Sequence, residues 1–218
     1  MTVPFNQLYP RPKNLSFEEA AAFPLTFLTA YHMLVGRANL QKGETIFIWG
    51  ASGGLGLAAI QIAKYLDARI IATVSGEGDA RRVKAMGVEH IVNYKQVDVE
   101  KLVNKLTKGE KVDVVFESIG VKTWNTSLAI LRPYGRVVIA GTTSGAVASQ
   151  DLSDVYYYQH SILGSRMGTK EEFEEVLKLI IAGKLKPTID KVFPLKEANK
   201  ALKRLEESKH FGKIILKI

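Results

Sequence analysis

The segment GASGGLG, which begins at Gly50, matches two chemical motifs. Gly50, Ser52 and Gly54 spell G-x-S-x-G, the turn that exposes the nucleophilic serine of many hydrolases. The same segment spells a glycine-rich turn that binds phosphate at the start of a helix, through Gly50, Gly53, Gly54 and Gly56. Both motifs need a strand before the loop and a helix after it, so the local sequence leaves Ser52 either a nucleophile or a spacer in a phosphate loop.

The elements that position this loop form a regular series. Short runs rich in β-branched residues alternate with amphipathic runs, which indicates a parallel sheet wound by right-handed crossovers. The predicted strands cover residues 44–49, 69–74, 90–94, 112–118, 135–141 and 161–165. The predicted helices between them cover residues 55–66, 79–86, 99–107 and 123–131. We therefore predict an α/β fold with a doubly wound, six-stranded parallel sheet.

Two flanking regions differ from this series. Before it, Ser16 is a plausible N-cap, and the apolar segment from Pro24 to Val35 predicts a helix. After it, an amphipathic helix over 170–185 is followed by a strand, a helix and a final strand, at 187–193, 196–208 and 213–218. The two strands of this tail alternate in polarity, so we expect them to be half-exposed or paired with another element.

The position of the glycine motif in the series favours phosphate binding over a hydrolase turn. A hydrolase nucleophile follows several earlier strands, with its acid and histidine on later loops, whereas the residues before this strand read as helical. His90 opens a strand, and His160 and His210 lack a clear acid before them. A dinucleotide turn suits the glycines: Gly50 allows the turn, Gly53 and Gly54 allow close approach, and Gly56 allows the helix to pack on the strand.

The end of the second predicted strand should meet the adenosine ribose, about 20 residues after the glycines. That position is Ser75, and a serine leaves room for a 2′-phosphate that a carboxylate would repel. Side chains that could approach a phosphate follow on the next elements, namely Arg81, Arg82 and Tyr94. Glu77 and Asp79 argue in the opposite direction. Taken together, these residues favour NADP over NAD. The alternative is that Arg81 and Arg82 are solvated helix residues that contact no phosphate.

Composition restricts the function classes further. The chain has 218 residues, of which 46% are hydrophobic and 24% charged, as in an ordinary globular protein. No apolar run is long enough to span a bilayer and no signal peptide is evident, so we expect a cytoplasmic protein without a membrane role. Cysteine is absent and the four histidines are scattered, so we predict no metal bound by this chain.

The net charge of +8 raises nucleic acid or an anionic cofactor as partners. The lysines are spread along the chain and alternate with acids at helical spacing, which favours solvated helix faces. The one aromatic cluster, DVYYYQHS, lies beside Asp151 and Asp154, so we expect it at a cleft or subunit contact instead of on RNA.

Several long segments, taken together, resemble a known family. They are NLSFEEAAAFPLTFLTAYHML, GETIFIWGASGGLGLAAIQIAK, MGVEHIVNY, VDVVFESIG, GRVVIAGTTSG, SILGSRM and GKLKPTIDKVFPLKEANKALKRLEESKHFGKIILKI. In order and spacing they resemble the C-terminal portion of medium-chain dehydrogenases/reductases, most closely quinone oxidoreductases of the zeta-crystallin type and zinc-containing alcohol dehydrogenases. The resemblance implies a Rossmann domain and hydride transfer between NADP(H) or NAD(H) and a quinone, an aldehyde or alcohol, or an enone.

The resemblance also assigns cofactor-binding positions. Thr29 matches a threonine beside the nicotinamide, and Ser75 and Tyr94 match positions beside the 2′-phosphate, with Arg81 added from its placement. Loops at strand ends match through Ser118, Gly120, Gly141 and Thr142, and the GK before the last strand matches through Lys213. The pyrophosphate turn comprises Gly50, Ser52, Gly53, Gly54, Leu55 and Gly56.

No acid/base pair is evident, and hydride transfer needs none from this segment. Asp79 departs from the lysine that NADP-dependent relatives often carry.

The resemblance implies three regions. Residues 1–30 match a remnant of an N-terminal catalytic domain, residues 31–168 the Rossmann domain, and residues 169–218 a segment returning to the catalytic domain. We therefore expect mainly a cofactor-binding part with little turnover alone. An enoyl reductase, or a non-catalytic dinucleotide- or RNA-binding module, is the alternative.

The resemblance further implies a homo-oligomer. The edge strand containing residues 162–165 would pair with its twin across a two-fold axis. Apolar Ile162 and Leu163, followed by small Gly164 and Ser165, suit that contact. The alternative is an edge strand shielded by neighbouring loops.

Overall fold

The computed structural model describes residues 2–218. Its strands are β1 Thr45–Ile48, β2 Arg69–Val74, β3 His90–Asn93, β4 Val112–Glu117, β5 Leu131–Ile139, β6 Ser161–Gly164, β7 Ile189–Pro194 and β8 Lys213–Lys217. Its α-helices are α1 Phe17–Ala22, α2 Pro24–Tyr31, α3 Gly54–Tyr65, α4 Glu77–Ala85, α5 Val99–Leu106, α6 Val121–Ala129, α7 Leu152–Tyr157, α8 Lys170–Ile181 and α9 Ala198–Glu206. Short 3₁₀ turns cover Phe5–Gln7 and Leu195–Glu197, and a π-helix covers His32–Arg37.

Six strands form one parallel sheet in the order β3-β2-β1-β4-β5-β6. The chain moves outward from β1 to β3, then crosses to β4 and moves outward in the other direction. The strand order therefore reverses between β1 and β4, where open α/β sheets bind ligands. The predicted doubly wound sheet is confirmed.

Both faces of the sheet are covered, which explains why its central strands are apolar throughout. In β1, Ile46 and Ile48 pack into a core with α2 and α3, whereas Phe47 packs into a second core with α5 and α6. All six residues of β4 are buried. Burial on both faces removes the polar alternation of a half-exposed strand.

The segment before β1 differs from its prediction at one point. Ser16 caps α1 in a capping box with Glu19, as its sequence suggests. The predicted single helix over 24–35 is wrong at its end, because α2 stops at Tyr31 and a π-helix follows. There the amide of Ala38 donates to the carbonyl of Met33, five residues earlier.

The π-helix brings His32 against α8. Its Nδ1 lies 2.9 Å from the Glu172 carboxylate. A side chain on Gly36 would overlap that carboxylate and would place Cβ 2.7 Å from the His32 ring. The π-helix and Gly36 therefore make room for a contact between two residues that are 140 positions apart in the chain. The sequence pattern did not reveal this contact.

Helix α7 was not predicted. Its six residues include Tyr156 and Tyr157, whose side chains are 73% exposed. An exposed aromatic run lacks the apolar period of a core-facing helix, so periodicity could not find it.

The tail forms a second small sheet, in which β7 and β8 pair in parallel. The Asp190 carboxylate joins this sheet to α9, accepting hydrogen bonds from Arg204 at 2.9 Å and from the amide of Phe211 at 3.1 Å. Phe211 and Ile215 are buried, while Leu216 is exposed. We expected the two tail strands to be half-exposed or paired with another element. In the structure each pairs with the other.

Candidate nucleotide-binding site

The loop after β1 is a tight turn stabilised by the neighbouring strand. Gly50 has φ of +63°, a left-handed conformation that glycine adopts without a steric penalty. The hydroxyl of Thr73, on β2, accepts from the Gly50 amide and donates to the Ile48 carbonyl, both at 3.1 Å. The Ala51 amide donates to the Thr73 carbonyl at 3.0 Å. A fully buried threonine therefore stabilises the turn, although no motif of the sequence points to it.

The glycines of this turn differ in the space around them. A Cβ on Gly56 would overlap the Gly50 carbonyl oxygen and lie 2.8 Å from the Cα of Ala51, so this glycine is required for α3 to pack against the turn. On Gly53, a Cβ would meet only the Gly50 oxygen, at 3.5 Å, an ordinary contact. The protein's own packing does not explain glycine at position 53.

Helix α3 begins at this turn with unused hydrogen-bond donors. Its N-cap, Gly53, has no side chain to accept from the first turn. The amides of Gly54, Leu55 and Gly56 have no acceptor within the helix, and the helix dipole places partial positive charge beside them. A helix start of this kind binds phosphate.

The tail adds a cation to the same place. The Gly212 amide donates to the Ser52 carbonyl at 2.9 Å, and Gly212 and Gly53 form an isolated parallel bridge. The next residue, Lys213, extends over Gly54, where its Cδ would lie 2.6 Å from an added Cβ. The predicted residues Ser52 and Lys213 are therefore brought together with the glycines.

The ends of β2 and β3 carry the other predicted phosphate ligands. Ser75 follows β2 and Tyr94 follows β3, at the same edge as Gly50. Arg81 is exposed on α4. Arg82 instead lies over the ring of Phe211, 5.1 Å from its centre. That contact is a cation–π interaction with the tail, so the expectation that Arg82 approaches a phosphate is not supported by its placement.

The loops after β4 and β5 are joined by hydrogen bonds. Ser144 donates from its amide to the Ile119 carbonyl at 2.7 Å, and Val121 donates to the Gly145 carbonyl at 3.2 Å. Gly120 has φ of +98°, and a Cβ there would lie 3.1 Å from the Cα of Thr142. The predicted residues Ser118, Gly120, Gly141 and Thr142 form one surface beside the turn at Gly50.

A cavity of about 480 Å³ lies beside Gly50, bordered by residues that follow β1, β3 and β4. Trp49 and Ile119 supply apolar walls, and Tyr94 packs edge-on against Trp49, with ring centres 6.2 Å apart. Gly50 and Lys122 also contribute to its lining. An apolar slot with a polar rim, beside a phosphate-binding turn, suits an adenine ring.

Larger hollows occur at the opposite edge of the sheet, bordered by residues that begin strands, such as Thr45, Arg69 and His90. Ligands of open α/β sheets bind at the carboxyl ends of the strands. The smaller cavity beside Gly50 is therefore the better candidate.

Thr29 lies on α2. Its hydroxyl donates to the Leu25 carbonyl at 2.7 Å and lies 3.9 Å from the sulfur of Met167, which follows β6. The hydroxyl hydrogen is used within the helix. Its oxygen can still accept a hydrogen bond at the carboxyl edge of the sheet.

A metal site and a membrane span are not found in the described residues. Across residues 2–218, no three histidine, cysteine, aspartate or glutamate side chains are grouped so that they could hold an ion. The residues present therefore do not fit a zinc centre. No helix in the same range is both long and apolar enough to cross a membrane.

The sheet order and the helix start at its reversal point define a Rossmann fold, a class of α/β sheet in which dinucleotides bind at this point. The pattern of the zinc-binding dehydrogenase family matches residues 54–182. The chain belongs to this family, within the medium-chain dehydrogenase/reductase superfamily.

Individual relatives are similar across nearly the whole chain. Crotonyl-CoA reductase of Streptomyces collinus is 36% identical over 96% of this chain, and quinone oxidoreductase of Pseudomonas aeruginosa is 35% identical over 94%. A crystal structure of an NAD-dependent alcohol dehydrogenase is 42% identical over 99% of this chain, with a TM-score of 0.94. A structure of a 2-octenoyl-CoA carboxylase reductase in complex with NADP and 2-octenoyl-CoA is 33% identical over 97%, with a TM-score of 0.90.

The chain is shorter than these relatives. It spans 51% of the crotonyl-CoA reductase and 66% of the quinone oxidoreductase. It covers 63% of the alcohol dehydrogenase structure and 52% of the 2-octenoyl-CoA carboxylase reductase structure.

Proposed function

We propose that this chain binds a nicotinamide dinucleotide and that the protein is an oxidoreductase. The observation that carries the proposal is the start of α3, where uncapped amides face a glycine turn that has space at Gly53. When bound, the nicotinamide supplies hydride transfer to or from a small-molecule substrate. The residues of this chain bind and orient the dinucleotide.

Each predicted residue has a place in this proposal. The amides of Gly54, Leu55 and Gly56 bind the pyrophosphate, with Ser52 and Lys213 beside them. The loops containing Ser118, Gly120, Gly141 and Thr142 border the dinucleotide along the carboxyl edge. Thr29 lies at the nicotinamide end, where its hydroxyl oxygen can accept a hydrogen bond.

We propose NADP as the preferred cofactor. Ser75 leaves space at the end of β2, and Arg81 and Tyr94 are exposed nearby. The carboxylates of Glu77 and Asp79, in the first turn of α4, oppose a 2′-phosphate and reduce the expected preference. One relative is described as NAD-dependent and another contains NADP, so both cofactors occur in similar proteins.

The substrate is proposed to be a quinone, an aldehyde or alcohol, or an enone. Enoyl reduction is a specific second candidate, because two relatives are named for their action on the unsaturated acyl thioesters crotonyl-CoA and 2-octenoyl-CoA. We also propose the division into residues 1–30, 31–168 and 169–218, which the separate β7–β8 sheet supports.

We propose that two copies pair through β6. This strand is at the edge of the six-stranded sheet, and Ile162 on it is 45% exposed. Exposed tyrosines of α7 lie just before β6 in the chain, and their apolar rings suit a subunit contact.

The direct test is titration of the chain with NADPH and with NADH, followed by nicotinamide fluorescence. Binding is a better readout than turnover, because the chain spans only part of the relatives' length. We expect both nucleotides to bind, NADPH more tightly. Tighter binding of NADH would reverse the cofactor preference, and no binding of either nucleotide would overturn the proposed function.

A further inference from the structure

Glu117 is the last residue of β4 and is fully buried. Its Oε1 accepts from the amides of Ile119 and Gly120, at 2.7 and 3.1 Å. Its Oε2 accepts from the hydroxyls of Thr123 and Ser127, at 2.9 and 2.6 Å. Within residues 2–218 no ion pair to this carboxylate forms, so neutral donors stabilise it.

Ser127 also connects Glu117 to the residue that follows β1, the strand beside β4. The indole N–H of Trp49 donates to the Ser127 hydroxyl oxygen at 2.8 Å. Because a carboxylate can only accept, the Ser127 hydrogen points to Glu117 and its lone pair faces the indole. The carboxylate therefore orients, through one serine, the tryptophan that directly follows β1.

The two groups connected by Glu117 lie on opposite sides of the reversal point of the sheet. Trp49 follows β1, and the Ile119–Gly120 turn follows β4; these strands are neighbours. Trp49 and Ile119 both line the cavity of about 480 Å³. Glu117 itself does not line it. Its contacts with the cavity are made through other residues.

We propose that Glu117 is a positioning residue for the adenine of the bound dinucleotide. It holds the Trp49 indole and the Ile119–Gly120 turn at the separation that an adenine ring needs. Removing one of these hydrogen-bond partners leaves a buried polar group unsatisfied, so we expect adenine binding to weaken measurably. This inference rests on the proposed nucleotide site.

Two matched variants separate positioning from simple stabilisation. Ser127→Ala and Thr123→Val each remove one hydroxyl from the same carboxylate oxygen. Only the serine also bonds Trp49, whereas Thr123 itself lines the cavity. Both are made in a Trp124→Phe background, where Trp49 is the one remaining indole of the two in the chain. The probes are adenosine 2′,5′-bisphosphate and reduced nicotinamide mononucleotide, with Trp49 emission and thermal stability recorded in parallel.

We expect Ser127→Ala to weaken adenosine 2′,5′-bisphosphate binding about tenfold. It should change Trp49 emission and leave nicotinamide mononucleotide binding unchanged. Thr123→Val should leave Trp49 emission unchanged, because Thr123 does not bond the indole. Glu117→Gln should resemble Ser127→Ala, but the serine variant suffices if this buried substitution prevents folding.

Unchanged adenosine 2′,5′-bisphosphate affinity in Ser127→Ala, or unchanged Trp49 emission in that variant, would overturn the positioning role while leaving the proposed function intact. If the parent protein bound neither NADPH nor NADH, the proposed function would fail first, and the positioning role would fail with it.

Discussion

Gly53 and Gly56 belong to the same turn for different physical reasons. Gly56 is required by internal packing, because any Cβ there meets the Gly50 carbonyl. Gly53 has ordinary space around it, and its φ of −77° suits any residue. A side chain at Gly53 would instead extend into the region where a pyrophosphate would approach α3. A substitution at Gly56 therefore tests stability, and one at Gly53 tests nucleotide binding.

Replacing Gly53 with leucine should abolish nucleotide binding with little effect on folding. The expected loss of NADPH affinity is at least about a hundredfold, since the side chain would displace the phosphate from the α3 amides. Fluorescence titration and thermal unfolding measure the two effects. Ser52→Ala is the control, and its affinity should barely change. Wild-type affinity in Gly53→Leu would contradict the placement of the pyrophosphate.

Replacing Gly56 with alanine should destabilise the protein. Overpacking of this kind costs about 1–3 kcal/mol, and the contacting atoms are backbone atoms that cannot rotate away. Urea unfolding should show a lower midpoint with an unchanged slope. Gly76→Ala is a suitable control, because no atom lies within 4 Å of the added Cβ. A midpoint no lower than that of Gly76→Ala would contradict the close approach.

At the scale of elements, the tail is attached to the glycine turn and stabilised by an internal ion pair. The β7–β8 sheet contacts the turn through Gly212 and orients Lys213 over α3. Asp190 connects β7 to Arg204 on α9 and to the Phe211 amide. The pKa of Asp190 is lowered, mainly by the hydrogen bond from Arg204, and burial opposes this effect.

Because of the ion pair between Asp190 and Arg204, we expect the stability of the fold to depend on pH in the acidic range. A carboxyl whose folded-state pKa is depressed stabilises the fold above its unfolded pKa, here near 3.8, and this contribution is lost as pH falls toward the folded value. The free energy of unfolding should therefore decrease below about pH 4. In Asp190→Asn, that part of the decrease should be absent. Urea unfolding at several pH values measures it, and an identical profile in Asp190→Asn would contradict the assignment.

At the scale of the whole molecule, the exposed edge of the sheet predicts a dimer. An unpaired edge strand with an exposed isoleucine favours pairing with a second copy. We expect light scattering to give a dimeric mass, and Ile162→Lys to shift it toward the monomer. Leu205→Lys, at an exposed position on α9, is the control. A monomeric parent protein would contradict pairing through β6.

The alternation of elements was predictable because strands and helices carry their own local signals. Residues 69–74 were predicted as β2 without error, and the other five strands of the large sheet differ by a few residues at their ends. The sequence pattern did not indicate the π-helix, which brings His32 to Glu172 across the fold. The exposed helix α7 carries no core-facing pattern, so it was missed as well.

For the candidate site, the sequence alone determined the glycine turn, the doubly wound parallel sheet and the carboxyl edge at which the predicted residues meet. These properties follow from backbone freedom and from hydrophobic period, both of which are local. The tertiary structure decided which residues support that edge. Thr73 bonds the turn from another strand, Glu117 holds Trp49 through Ser127, and Arg82 contacts Phe211. These hydrogen bonds and ring contacts depend on distances of a few ångströms between residues far apart in the chain, which only the packed fold determines.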